Sequence, residues 1–302
     1  MTRKSDLPEI SVVIPTLNAA ATLGAALASL AEQPVPYEAI LVDGGSHDAT
    51  RAIATSVPQL RVVEAPGTSI YGALNRGIAE ARAPAIVLLN ADDVLLPSAL
   101  AAFTGALAQN PSAAIVRGRP RFVEADGAGG YRPLAQIEQR TNQPLTLELL
   151  LRGPCAINSM CFRREAFAQL GLFDTAWRFS ADREWLWRAW RAHLAIVEID
   201  RAVYRYLVHE GSSTLDRDRR NYAPIRREHL AIIAKVRAAK TPAGPPLPFA
   251  LWRWHAAETA MLAAYYLRSH EWRNAALVLG QGLREAPLWP AALAADLALR
   301  LR

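Results

Sequence analysis

The sequence predicts an α/β fold in which a mostly parallel sheet is flanked by helices and followed by a helical C-terminal region. Three observations carry this expectation. Apolar runs alternate with segments of helical periodicity as far as Pro111, the pattern of successive right-handed βαβ crossovers. Several of these runs stop abruptly at a polar cluster, as strands buried on both faces do at their carboxyl ends. From Tyr222 onward the pattern is helical, interrupted by the prolines from Pro242 to Pro248, a natural break.

Ile10 to Ile14 is the first strand, stopped by Pro15, and Leu23, Leu27 and Leu30 then mark a helix ending before Pro34. Ala39 to Val42 form a second strand that ends in Asp43 and turns through Gly44, Gly45 and Ser46. Asp48 is the N-cap of a helix carrying Ile53 and Val57. Leu60 to Val63 is a strand, and Leu74, Ile78 and Ala81 mark the next helix. The stretch PAIVLLNADDVLLP, Pro84 to Pro97, holds the central strand Ala85 to Leu89, followed by a helix with Leu100, Phe103 and Leu107. Beyond Pro111, Ala114 to Val116 and Arg121 to Glu124 read as separate strands, with a glycine-rich turn from Asp126 to Gly130. The chain is irregular through Arg152, which suits a substrate-facing excursion. Met160 to Arg163 is a strand, Arg164 to Leu170 a short helix and Ala181 to His193 a tryptophan-rich helix. Leu194 to Ile199 and Val203 to Val208 are two further strands, and a division near residue 220 separates domains 1–220 and 221–302.

Half of the residues are hydrophobic and the net charge is +6. That balance excludes a disordered chain and suits phosphate-bearing substrates or an anionic surface. It lacks the dense basic stripe of a nucleic-acid binder. Cys155 and Cys161 show neither zinc spacing nor a redox pair and read as reduced, buried thiols. MTRKSDLPE leads into a strand without an apolar signal region. No run reaches the roughly 18 apolar residues of a spanning helix, so a cytoplasmic address is expected.

The central strand ends in Asn90, Ala91, Asp92 and Asp93. Ligands of open α/β sheets bind outside the carboxyl ends of strands. Adjacent carboxylates repel, so this cluster calls for a cation or strong donors. A hard cation such as Mg²⁺, shared with substrate phosphates, fits. The alternative is a solvated loop capping the helix from Ser98 onward.

Four ordered segments now line up: ISVVIPTLN, EAILVDGGSHDAT, SIYGALNRGIAEA and VLLNADDVLLP. Over Glu9 to Gly211 the chain resembles family 2 glycosyltransferases of the GT-A fold, and in particular a bacterial polysaccharide-assembly subgroup reading VDGGSTDGT, GIYDAMNKGI and FLNSDD. The resemblance implies inverting transfer of a sugar from a nucleotide-diphosphate donor to a hydroxyl of a glycan or lipid-linked acceptor, with Mg²⁺ or Mn²⁺. It implies that Pro15, Thr16 and Asn18 line the base pocket and that Asp43 contacts the base, with a turn-capping role as its alternative. Asn75 matches the donor-binding asparagine, and Arg76 reaches the diphosphate or is a surface charge. Asn90 bonds the ribose, Asp92 is the metal ligand, and Asp93 stands behind it or faces the acceptor. Gly72 and Ser69 depart from the subgroup at donor-sugar positions.

Inverting displacement needs a carboxylate base on the face opposite the leaving group. Asp182, in FSADREWLWR, matches the second acid of the family's Glu-Asp motif, with Ala181 where Glu often stands. The competing role for Asp182 is an N-cap. Glu184 and Arg188, four residues apart, read as a structural pair. Trp185, Trp187 and Trp190 stack on sugar or, more simply, fill the core. His209 sits where the family carries a loop closing over pyrophosphate, and a metal or phosphate contact there competes with no role. The basic, amphipathic end from Leu288 to Arg302 suits peripheral contact with an anionic membrane, packing on the catalytic domain, or a homo-oligomer.

Other classes fit less well. A nucleotidyltransferase needs a Gly- and Arg-rich loop that IPTLNAA lacks, and no GxGxxG follows the first strand. A non-catalytic nucleotide-binding or scaffolding protein stays open through Gly72 and Asn90.

Overall fold

The computed structural model describes residues 8–152, 156–212, 220–238, 247–285 and 287. Its contacts divide the chain into Met1–His209 and Glu210–Arg302, so residue 220 falls inside the second unit. Cys155 and the end from Leu288 to Arg302 lie outside the described residues.

In the first unit the elements run β1 (Ile10–Thr16), α1 (Leu23–Ala31), β2 (Tyr37–Asp43), α2 (Thr50–Thr55), β3 (Leu60–Glu64), α3 (Ile70–Glu80), β4 (Ala85–Leu88), β5 (Val94–Leu95) and α4 (Ala99–Gln109). They continue through β6 (Ile115–Ala125), β7 (Tyr131–Pro133), α5 (Ala135–Thr141), α6 (Leu147–Arg152), β8 (Met160–Arg163), α7 (Arg164–Leu170), α8 (Ala181–Arg191) and β9 (Ile196–Val208). The strand order is β3-β2-β1-β4-β8-β6-β9-β5, with β7 on β6. β3, β2, β1 and β4 are parallel, as the βαβ rhythm requires. The rest is mixed: β8 runs antiparallel to both β4 and β6, and β5 antiparallel to β9, while β6 and β9 are parallel. The sheet is therefore less parallel than expected, because no helical crossover returns β8 or β5 in the common direction.

Three expected boundaries move. Pro15 does not stop β1, which continues to Thr16 opposite Asp43. Residues alternate their ladder groups, so Pro15 faces the β4 side like Val13, and β4 has already ended opposite Val13; no ladder bond is lost to the missing N–H. The two strands expected between Ala114 and Glu124 are one, with a register shift between Arg117 and Pro120. A Cβ on Gly118 would stand 2.4 Å from Val203 Cγ2, so glycine is what allows β9 to approach there. Likewise Leu194 to Ile199 and Val203 to Val208 merge into β9.

Every residue of β1 is buried, and Ile10, Val12 and Ile14 share a core with Leu23, Ala26 and Leu30 of α1. Each of the Ile, Val and Leu side chains contributes about 1.5–3 kcal/mol by leaving water. On the other face α3 lies close over β1 and β2, because a Cβ on Gly77 would meet Val13 Cγ1 at 2.3 Å. Cys161 is buried in the sheet, and burial pushes its thiol up to about 12, so it stays protonated and unreactive.

The second unit contains α9 (Tyr222–Ala238), α10 (Leu247–Arg268) and α11 (Trp272–Glu285). Glu258 of α10 is 2 % exposed and accepts from both Arg226 and His229 of α9 and from Trp254 Nε1. Burial opposes its ionisation, but His229 and Arg226 override that cost and hold the carboxyl at about 2. No helix among the described residues is long and apolar enough to cross a membrane.

Candidate active site

The carboxyl ends of β1 and β2 lie side by side, and the loops beyond them are knitted together by side chains. Asp43 is 1 % exposed and accepts from the backbone N–H of Ser46 at 3.1 Å and from the Ser46 hydroxyl. Ser46 Oγ in turn accepts from Asn18 N at 2.9 Å, and Asn18 Oδ1 accepts from His47 N at 2.9 Å. Asn18 adopts a left-handed φ of 50°, which its short amide tolerates better than most side chains. Thr50 Oγ1 accepts from Ala19 N at 2.7 Å, and Asp48 Oδ2 from Ala20 N at 3.1 Å. Asp48 also accepts from Thr50 N, starting α2 from one residue before its N-cap, Ala49. Thr16 is buried with its hydroxyl on Ile14 O. Pro15, Thr16, Asn18 and Asp43 are thus gathered at one rim, the first two by strand pairing and the last two through Ser46.

Just past β4, Asn90 to Asp93 turn sharply, and Asp93 N donates back to Asn90 O. Asp92 Oδ2 lies 2.9 Å from His209 Nε2, which arrives from the far end of β9. Both side chains are a little over one third exposed (35 % and 38 %), so the pair faces solvent. Asp93 points the other way: it is 2 % exposed, and it accepts from Tyr204 Oη at 2.7 Å, Leu207 N at 2.8 Å and Asn90 Nδ2 at 3.1 Å. Burial first, then the charge of Asp92, pushes its carboxyl up to about 7. That burial closes the acceptor-facing alternative for Asp93, and the amide nitrogen of Asn90 is engaged by Asp93.

Asp92 and His209 are a donor pair suited to a hard divalent cation. Among the described residues no three His, Cys, Asp or Glu side chains converge, so two protein ligands would share the ion with phosphate and water, as Mg²⁺ sites commonly do. The two atoms lie 2.9 Å apart, within hydrogen-bond reach, so a cation held there would take the place of the proton they share.

Asp182 lies in the first turn of α8, whose N-cap position is Ser180. The hydroxyl of Tyr71 reaches it, 3.0 Å from Oδ1 and 3.1 Å from Phe179 O. Tyr71 stands in the first turn of α3, just beyond the carboxyl end of β3, so Asp182 is drawn to the same edge of the sheet as the other clusters. Asn75, one turn further along α3, is committed at both ends of its amide to the backbone of Phe173, at 2.8 and 2.9 Å. Arg76 pairs with Glu80 at 3.0 Å on the surface. Ser69 caps α3 by accepting from Gly72 N, a helix-start role for one of the departing positions.

Behind Asp182, α8 is anchored by its tryptophans. Trp185 is fully buried among Phe162, Phe167 and Phe173 at centroid distances of 4.7–6.0 Å, and its Nε1 donates to Gly171 O. Trp187 is buried and stacks on Trp190 at 5.5 Å. Glu184, 3 % exposed, pairs with Arg188 at 2.9 Å.

The profile described as "Glycosyl transferase family 2" matches residues 11–171, more than half of the chain. The chain belongs to that family. A "PGL/p-HBAD biosynthesis glycosyltransferase" of Mycobacterium bovis is 44 % identical over 94 residues, covering 29 % of this chain and 37 % of that protein. The chain therefore matches well under half the length of such curated relatives. Among solved structures, Staphylococcus aureus TarS in complex with UDP-GlcNAc superposes with a TM-score of 0.60 at 15 % identity, covering 89 % of this chain and 90 % of that one. Mannosyltransferase PcManGT from Pyrobaculum calidifontis, in complex with GDP-Man and Mn²⁺, gives a TM-score of 0.59 at 23 % identity, covering 98 % and 81 %. These neighbours share the GT-A fold with this chain.

Ser46, Tyr71 and Tyr204 join these clusters, though the sequence marks Ser46 only as a turn residue. Tyr71 carries a local signal as the aromatic of SIYGALN, the segment that holds Asn75, and Tyr204 carries none.

Proposed function

We propose that this chain is an inverting glycosyltransferase that moves a sugar from a nucleotide-diphosphate donor to a hydroxyl of a glycan or lipid-linked acceptor. The observation that carries the reading is the Asp92–His209 pair, at the sheet edge to which Tyr71 holds Asp182. The rim of Pro15, Thr16, Asn18 and Asp43 receives the nucleoside, and Asp43, by capping the turn through Ser46, fixes the shape the base meets. Asn90 holds the loop by its bond to Asp93 and presents Asp92. Asp92 and His209 hold Mg²⁺ or Mn²⁺, which when bound neutralises charge on the diphosphate leaving group. Asn75 positions the segment before α8 through Phe173.

Asp182 takes the proton from the acceptor hydroxyl as its oxygen bonds to the anomeric carbon. The bond from that carbon to the donor phosphate breaks, and the nucleoside diphosphate leaves with the electron pair. Tyr71 keeps the carboxylate aimed while this happens. The neighbours solved with UDP-GlcNAc and with GDP-Man and Mn²⁺ support UDP or GDP sugars as the donor class.

A panel of UDP and GDP sugars incubated with the chain, with Mn²⁺ or with EDTA, tests this. Release of nucleoside diphosphate from at least one donor in the Mn²⁺ arm is expected. Tight donor binding without turnover, in the presence of glycan and lipid-linked acceptors, would favour a nucleotide-binding scaffold instead.

A further inference from the structure

We propose that Asp93 and Tyr204 are positioning residues that lock Asp92 and His209 together for a divalent cation; the inference rests on the metal-holding role given to that pair. Asp92 and His209 come from distant parts of the chain, so their approach requires the loop after β4 and the end of β9 to be held in register. The fixing is done one layer below. Asp93 Oδ1 accepts from Leu207 N at 2.8 Å, two residues before His209, while its neighbour in sequence is Asp92. Its Oδ2 accepts from Tyr204 Oη at 2.7 Å and from Asn90 Nδ2 at 3.1 Å. One carboxylate therefore staples the loop after β4 to the end of β9.

Tyr204 is the second half of the device. It is fully buried, and its hydroxyl donates to Asp93 while accepting from Asn90 N at 3.2 Å and Asn158 Nδ2 at 3.0 Å. That hydroxyl joins β9, the metal loop and the 3₁₀ turn Ile157–Ser159 that leads into β8. The bond from Tyr204 to Asp93 is buried and those from Asn90 and Asn158 are partly buried, so removing the hydroxyl takes from all three groups the one partner they share. The loop and β9 then lose their common reference, and the two cation donors drift apart. Partners that orient metal ligands in this way typically govern metal affinity by about 10- to 100-fold when removed.

The test is the dissociation constant of Mn²⁺, alone and with UDP or GDP, followed by electron paramagnetic resonance on the full chain. Five proteins are compared: wild type, Asp92→Ala, Asp93→Asn, Tyr204→Phe and Val203→Ala. Val203 is fully buried beside Tyr204 but takes no part in the hydrogen-bonded hub, so it reports loss of packing alone. Expected are loss of binding in Asp92→Ala, weakening of about 10- to 100-fold in Asp93→Asn and Tyr204→Phe, and wild-type affinity in Val203→Ala once folded fractions are matched. Wild-type affinity in both Asp93→Asn and Tyr204→Phe, with Asp92→Ala dead, overturns the positioning role and leaves the metal pair standing. Equal weakening in Val203→Ala overturns it too. Absence of bound Mn²⁺ in the wild type overturns the metal pair itself, and the staple with it.

Discussion

Asp182 and Glu184 stand two residues apart on α8 and do opposite things. Glu184 is buried against Arg188, whose guanidinium also donates to carbonyls at the end of α7 and beyond it. Asp182 is reached instead by the hydroxyl of Tyr71 at the sheet edge. Asp182→Asn keeps the shape and removes the proton acceptor, so kcat should fall by about 10²- to 10⁴-fold while donor affinity stays put. Glu184→Gln should cost about 1.5–3 kcal/mol of stability through the weakened charged hydrogen bond, with kcat of the folded protein nearly unchanged. Steady-state kinetics beside a denaturation curve for each variant separates the two. A dead Glu184→Gln with an active Asp182→Asn would reverse the assignment.

At the scale of elements, the close approach of α3 to the sheet aligns Tyr71 with Asp182 and Asn75 with Phe173. Gly77→Ala forces a Cβ into Val13, a stiff β-branched side chain with no exposure. A loss of about 1–3 kcal/mol is expected from overpacking, read as a lower urea midpoint. The parallel strands and their helices were legible because apolar runs and helical spacing report burial directly. Pro15 misled because whether a missing N–H matters depends on where the neighbouring strand ends, which lies outside the local sequence. The merging of two short runs into β6 depends likewise on Gly118 and Val203 meeting across a bulge. In the candidate site, Asp92 was legible from the strand that precedes it. The 2.9 Å approach of His209 was not, since 117 residues separate it from Asp92 and only the sheet closes that gap. Tyr204 gave no signal at all, being one aromatic in an alternating strand.

Across the whole molecule, two ionisable hubs respond to pH in opposite senses. Glu258 in the helical unit has its carboxyl lowered from 4.5 to about 2, so its contribution is fully present above pH 4.5 and is lost as pH falls toward 2. That contribution is about 3 kcal/mol. The stability gap between wild type and Glu258→Gln, from urea midpoints, should therefore shrink between pH 6 and pH 3; a constant gap contradicts the ionised hub. Asp93, raised to about 7, runs the other way: its folded state favours the proton, so stability falls as pH rises from about 4 to 7. Both hubs are buried, and neither is the chemistry itself.

The central claim is that the diphosphate of the donor is held through a cation on Asp92 and His209. Isothermal titration of the bound donor, or of UDP or GDP, into wild type and Asp92→Ala, each with Mn²⁺ and with EDTA, tests it most directly. Wild-type affinity should drop sharply in EDTA, and Asp92→Ala should bind weakly and identically in both buffers. Equal wild-type affinity with Mn²⁺ and with EDTA would contradict the account.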